Sequence, residues 1–181
     1  MGVPRFAFFT KGRGIHKEKL NSFEMSLRDA NIARYNLVKV SSIFAPHCKI
    51  ISNKQGARMM RPGQIVPVVM SENATNEPSR LIAAAVGLAR PRDPEQYGYI
   101  SEHHSYGEVA RKAGDYSEDL AATMLATVLG VEFDPNEAYD TRREIYRMSG
   151  RIVESRNIVQ SAEGDKDGNW TTVVAAAVFI L

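Results

Sequence analysis

Residues 36–42 read NLVKVSS, a β-prone run that stops on two adjacent hydroxyls, Ser41 and Ser42. Alternate residues of a strand share a face. Asn36, Val38, Val40 and Ser42 therefore point one way, and Leu37, Lys39 and Ser41 the other. Ser42 falls on an otherwise apolar face, where an unpaired hydroxyl is costly. Two readings follow. In the first, Ser42 bonds a neighbouring carbonyl where the strand ends, and Ser41 faces water. In the second, the Ser42 hydroxyl attacks the carbonyl carbon of its own upstream peptide. The amide becomes an ester by an N-to-O acyl shift. β-Elimination then breaks the chain and leaves dehydroalanine, which loses ammonia to become a pyruvoyl group. Such a carbonyl forms an imine with a substrate amine and accepts electrons as carbon dioxide leaves, a role otherwise filled by a carbonyl cofactor. The dipeptide by itself does not choose between the two.

Three other stretches carry groups of interest. Glu24 interrupts an apolar helical stripe, because Leu20, Glu24 and Leu27 are spaced i, i+4, i+7. A carboxylate so placed pairs with a cation or lies at the stripe's edge with its head in water. In SEHHS, Glu102 and His104 share one strand face and His103 points opposite. Two ligands do not make a zinc site, which takes three or four; Glu102 is left as a candidate acid or base. SENATNEP supplies a polar pocket rim or a helix cap, with Thr75 and Asn76 as possible caps.

The elements that must position these groups can be sketched from periodicity. RFAFF (5–9) is an apolar strand broken by the glycines of TKGRG. Leu20, Phe23, Leu27 and Ala30 give a helix over 17–31. Residues 36–43 form a second strand and QIVPVVM (64–70) a third, in which Pro67 favours an edge or a bulge. RLIAAAVGLA (80–89) is expected to be an Ala-rich helix. Residues 97–107 are a strand. Residues 108–129 are the longest helix, stopped by Gly130; DPNEAYD is a break, after which TRREIYRM can continue as helix. Two last strands are joined by DKDGN, whose Asp-Gly is a hairpin signal. The mixture predicts one α+β domain of helices packed on sheet.

Composition narrows the classes. With 181 residues, 44% hydrophobic and 24% charged, the chain is an ordinary globular one. A net charge of +2 gives no footprint for nucleic acid or an anionic membrane. The single cysteine, Cys48, permits no intrachain disulfide and fits a reducing cytoplasm. The N-terminus lacks the pattern of a signal peptide. The apolar C-terminal VVAAAVFIL is too short for a helical membrane span, which takes about 20 residues, and is expected as a buried strand.

Four blocks in order, FFTKGRGIHKEKLNSFE, NLVKVSSIFAPHCKII, PGQIVPVVMSENATNEPSRLIAAAVGLA and QYGYISEHHSYG, resemble the pyruvoyl-dependent arginine decarboxylases. The resemblance implies a four-layer αββα sandwich of mainly antiparallel sheets flanked by helices. It also implies a proenzyme of one domain, residues 1–181, that cuts itself between Ser41 and Ser42. The β chain is then 1–41 and the α chain 42–181, which begins with a pyruvoyl group made from Ser42. No metal and no pyridoxal phosphate are implied. The reaction is L-arginine to agmatine and carbon dioxide, in a homotrimer or hexamer with active sites between subunits. Residue by residue, Ser42 becomes the electrophile and Ser41 the new C-terminus. Asn36 matches an asparagine near the cleavage and substrate site. Glu102 matches the glutamate that protonates the α-carbon, and its pKa is expected to be raised by burial beside aromatics such as Tyr99. Leu27 matches an apolar residue along the substrate's methylenes. Glu24 stands where some members carry an aspartate facing the guanidinium. Two alternatives remain: a pyruvoyl decarboxylase of lysine or ornithine, and a related scaffold that never matures.

Overall fold

A computed structural model describes residues 2–181. Nine strands and four helices follow in the order β1 (Phe6–His16), α1 (Lys19–Asp29), β2 (Asn36–Lys39), β3 (Ile43–Phe44), β4 (Lys49–Ile50), α2 (Asn53–Met59), β5 (Ile65–Thr75), β6 (Leu81–Pro91), β7 (Gly98–Tyr106), α3 (Ala110–Leu129), α4 (Tyr139–Met148), β8 (Ile152–Glu163) and β9 (Trp170–Ile180). The strands form a five-stranded sheet ordered β2-β5-β9-β1-β4 and a four-stranded sheet ordered β3-β7-β6-β8. Pairing is antiparallel except for β1 with β4 and β2 with β5. Helices α1 and α2 cover the outer face of the first sheet, and α3 covers the outer face of the second. The result is an α+β sandwich of four layers.

The main core lies between the sheets, where Val69, Val173, Ala175 and Ala177 of the first meet Ile82, Ala84, Val86 and Ile100 of the second. A second cluster, with Phe8, Val66, Val68, Val174 and Val178, lies under α1 and α2. Strands β6 and β9 are thus buried on both faces, which explains their unbroken apolar runs.

That burial corrects the expectation of a helix at 80–89: the segment is the strand β6. Its alanines keep both flanking layers close. A Cβ on Gly87 would lie 2.1 Å from the backbone oxygen of Ser117 in α3. The break expected at TKGRG is also absent, because β1 continues to His16. Its glycines admit α1: a Cβ on Gly12 or Gly14 would stand 2.1 Å from the carbonyl oxygen of Ser26 or Ser22. The side of α1 against the sheet accordingly carries Ser22 and Ser26, with Ala30 at its C-terminal cap, all buried, whereas Leu20 is 76% exposed.

Four further differences concern strands and their connections. The 36–43 strand is interrupted, with β2 and β3 in different sheets. Pro67 is in β5, which lies between β2 and β9, but β9 begins pairing only at Val68. DKDGN does turn the chain, with Gly168 at φ 76°, yet β8 pairs with β6 and β9 with β1 and β5. It joins the two sheets and closes no hairpin. The expected caps Thr75 and Asn76 start no helix; Thr75 ends β5 and its hydroxyl accepts from the Glu77 N–H at 3.1 Å. Helix α3 and its left-handed terminator Gly130, φ 64°, are as expected.

Candidate active site

Strand β2 is bound to β5 and strand β3 to β7, so the residues between them step from one sheet to the other. Backbone bonds pin both sides of the step. Val40 N–H donates to the Val68 carbonyl at 3.0 Å in the first sheet, and Ile100 N–H donates to the Ser42 carbonyl at 2.7 Å in the second. Ser41 and Ser42 occupy the crossing. Ser41 is exposed and Ser42 half-buried. Because β2 ends at Lys39, strand alternation does not carry through to Ser42; the apolar residues around it are open within one chain, with Val38 and Val40 47% and 37% exposed and Ile43 44% exposed.

The bond from Ile100 sets Ser42 against β7 two residues from Glu102. Alternation along β7 sends Ser101 and His103 toward α3: the Ser101 hydroxyl bonds the Ser117 carbonyl, and His103 packs its ring on Tyr116 with Nε2 3.0 Å from Glu108 Oε2. Glu102 and His104 point the other way, as expected. Lys39 and Glu72 of the first sheet, paired at 3.6 Å, act on the same carboxyl. Partial burial raises the Glu102 pKa above its ordinary value and the Glu72 charge adds to this, while Lys39 and His104 oppose it. The raised pKa and its largest cause, burial, agree with the expectation, but Tyr99 takes no part in it. Tyr99 lies on the opposite face of β7, against α3, beside the buried Ala121, Ala122 and Leu125. No local pattern points to Lys39 or Glu72, because they approach through sheet topology.

The remaining residues gather elsewhere. Glu24 and Leu27 lie on successive turns of α1. Leu27 and Leu37 pack on one cluster, and Leu37 is next to Asn36. The Asn36 amide donates to the Gly63 carbonyl at 2.7 Å. Glu24 Oε1 accepts from Arg28 Nε at 2.6 Å, so its partner within the chain is already a guanidinium. Asn36 begins β2 and Ser42 lies beyond its end. The extended run from Asn36 to Val40 alone spans about 13 Å at about 3.3 Å per residue. One chain therefore brings Ser42 and Glu102 together but leaves Asn36 at a distance from them.

A carbonyl group generated at position 42 suits these surroundings. The position lies beside the exposed Val40 and Ile43, and Glu102, whose pKa is raised, stands on the adjoining strand. Comparison with known proteins assigns the chain to the decarboxylases, through a family model that matches residues 6–181. That family is described as pyruvoyl-dependent arginine decarboxylase, and the chain belongs to it. Similar proteins include a probable pyruvoyl-dependent arginine decarboxylase of Chloroherpeton thalassium, 60% identical over 98% of both chains. Another probable member, from Chlorobaculum tepidum, is also 60% identical over 98% of both. Pyruvoyl-dependent arginine decarboxylase 2 of Methanosarcina mazei is 56% identical over 98% of this chain and 97% of its own.

Proposed function

We propose that this chain is a one-domain proenzyme, residues 1–181, that cuts itself between Ser41 and Ser42 and then decarboxylates L-arginine to agmatine and carbon dioxide. The observation that carries the proposal is the serine pair at the crossing between sheets, with the Ser42 carbonyl bonded to β7 beside a carboxyl of raised pKa. Ser42 gives rise to the pyruvoyl group at the head of residues 42–181, and Ser41 ends the released β chain. A pyruvoyl carbonyl supplies the electron sink for loss of carbon dioxide from an amine-bearing acid.

The side chains do the rest. Glu102, protonated, delivers its proton to the substrate α-carbon after carbon dioxide has left. Glu24 grips the guanidinium in place of Arg28, the fork of one guanidinium replacing another. Leu27 lines the methylenes. Asn36 approaches Ser42 of a neighbouring copy, since it stands apart from Ser42 of its own. The open β2 face covers that neighbour in a homotrimer, single or paired into a hexamer. Among the described residues no helix is long and apolar enough to cross a membrane; a reducing cytoplasm is the compartment we assign, and polyamine synthesis a use for the agmatine.

Carbon dioxide release from arginine, lysine and ornithine tests the substrate. Arginine is expected to be preferred by at least about 10²-fold, because an ammonium cannot reproduce the forked contact. Equal release from lysine or ornithine would overturn the assignment.

A further inference from the structure

The Ser41 carbonyl is the one that Ser42 must attack, and a donor already addresses it. Ile43 N–H donates to the Ser41 carbonyl oxygen at 3.0 Å, closing a three-residue turn around Ser42. Ser42 is not among the residues with positive φ, so this is the common inverse form of the γ-turn. The donor is available for a reason of register. Ile43 faces Tyr99 and Ile100 N–H bonds the Ser42 carbonyl, which makes Ile43 a non-hydrogen-bonded position of the β3–β7 ladder. Its N–H therefore turns away from β7 and back onto Ser41.

We infer that the Ile43 backbone N–H is an oxyanion donor for self-cleavage, an inference that rests on the proposed cut at Ser41–Ser42. In the first step the Ser42 Oγ–C bond forms at the Ser41 carbonyl carbon, and the carbonyl π pair moves onto oxygen. The Oγ proton ends on the Ser42 nitrogen as the C–N bond breaks, leaving an ester and a free amine. The oxygen that gains charge is the one already held by Ile43. Bonds from Val40 to Val68 and from Ile100 to Ser42 hold both flanks, so the donor is in place before charge develops. Donors placed in advance of the charge stabilise such steps most.

The test replaces Ile43 by its α-hydroxy acid, which keeps the side chain and removes only the N–H. Appearance of the 42–181 fragment is followed by intact mass, with the all-amide chain made by the same route as the control. We expect the ester protein to cut about 10²-fold more slowly than that control, or worse. Cleavage of the ester protein at the normal rate would overturn the inference. Should the ester protein not fold, amide hydrogen exchange in the Ser42→Ala precursor decides: a protected Ile43 N–H supports the donor, and exchange at the unstructured rate rejects it. A wild-type chain that stays whole would refute the cleavage itself, a result distinct from both.

Discussion

At the residue scale the account turns on Glu102. As a proton donor it is competent while protonated, and above its pKa the protonated fraction falls tenfold per pH unit. A pKa raised above 4.5 moves the alkaline limb of kcat upward from the ordinary carboxylate range. Lys39 opposes the rise, so Lys39→Met should shift the limb to higher pH; Glu72 adds to it, so Glu72→Gln should shift it lower. Initial rates of cleaved enzyme across pH check both directions. Glu102→Gln should leave cleavage intact and lower kcat by about 10²–10⁴-fold; turnover at the normal rate would remove the acid role. Glu24→Gln should cut normally but raise KM for arginine about tenfold or more, as expected for loss of a hydrogen bond between charged groups. Parity along SEHHS was enough to read Glu102 and His104 on one face. The nearness of Glu102 to Ser42 was not legible in the residues, since it arises where the chain changes sheets.

At the element scale, α1 depends on β1 having no Cβ at positions 12 and 14. Gly14→Ala sets a methyl against the Ser22 carbonyl oxygen and must lift the helix. We expect a loss of about 2 kcal/mol or more, seen as a melting temperature lower by about 5 °C or more, together with a raised KM because Glu24 and Leu27 ride on α1. These glycines explain why the sequence misled: in TKGRG they suggest a break, whereas in the fold they let a helix lie on a continuous strand. RLIAAAVGLA misled for a related reason. A strand buried on both faces shows no period of two, and its alanines carry high helix propensity, so composition pointed to a helix. Where one face meets water or packing changes sides, as in β7, alternation was readable. The Asp-Gly dipeptide specifies a turn, but local sequence does not say which sheet each flanking strand joins.

At the scale of the whole molecule, β2 leaves Val38 and Val40 uncovered at the chain's edge, and Asn36 lies away from its own Ser42. Placing a charge at Val40, as in Val40→Asp, should break the proposed trimer into monomers by light scattering and abolish turnover, because the halves of each site would separate. A trimer that survives with full activity would move the interface elsewhere. The four-layer architecture itself was accessible only through the family resemblance, since local patterns determine elements and not how two sheets stack. The most direct test of the central claim is the intact mass of the purified, arginine-active protein under denaturing conditions. The account predicts two chains, residues 1–41 and 42–181, the larger beginning with a pyruvoyl group in place of Ser42 and having no free α-amine. An active protein made only of unbroken 181-residue chains would contradict it.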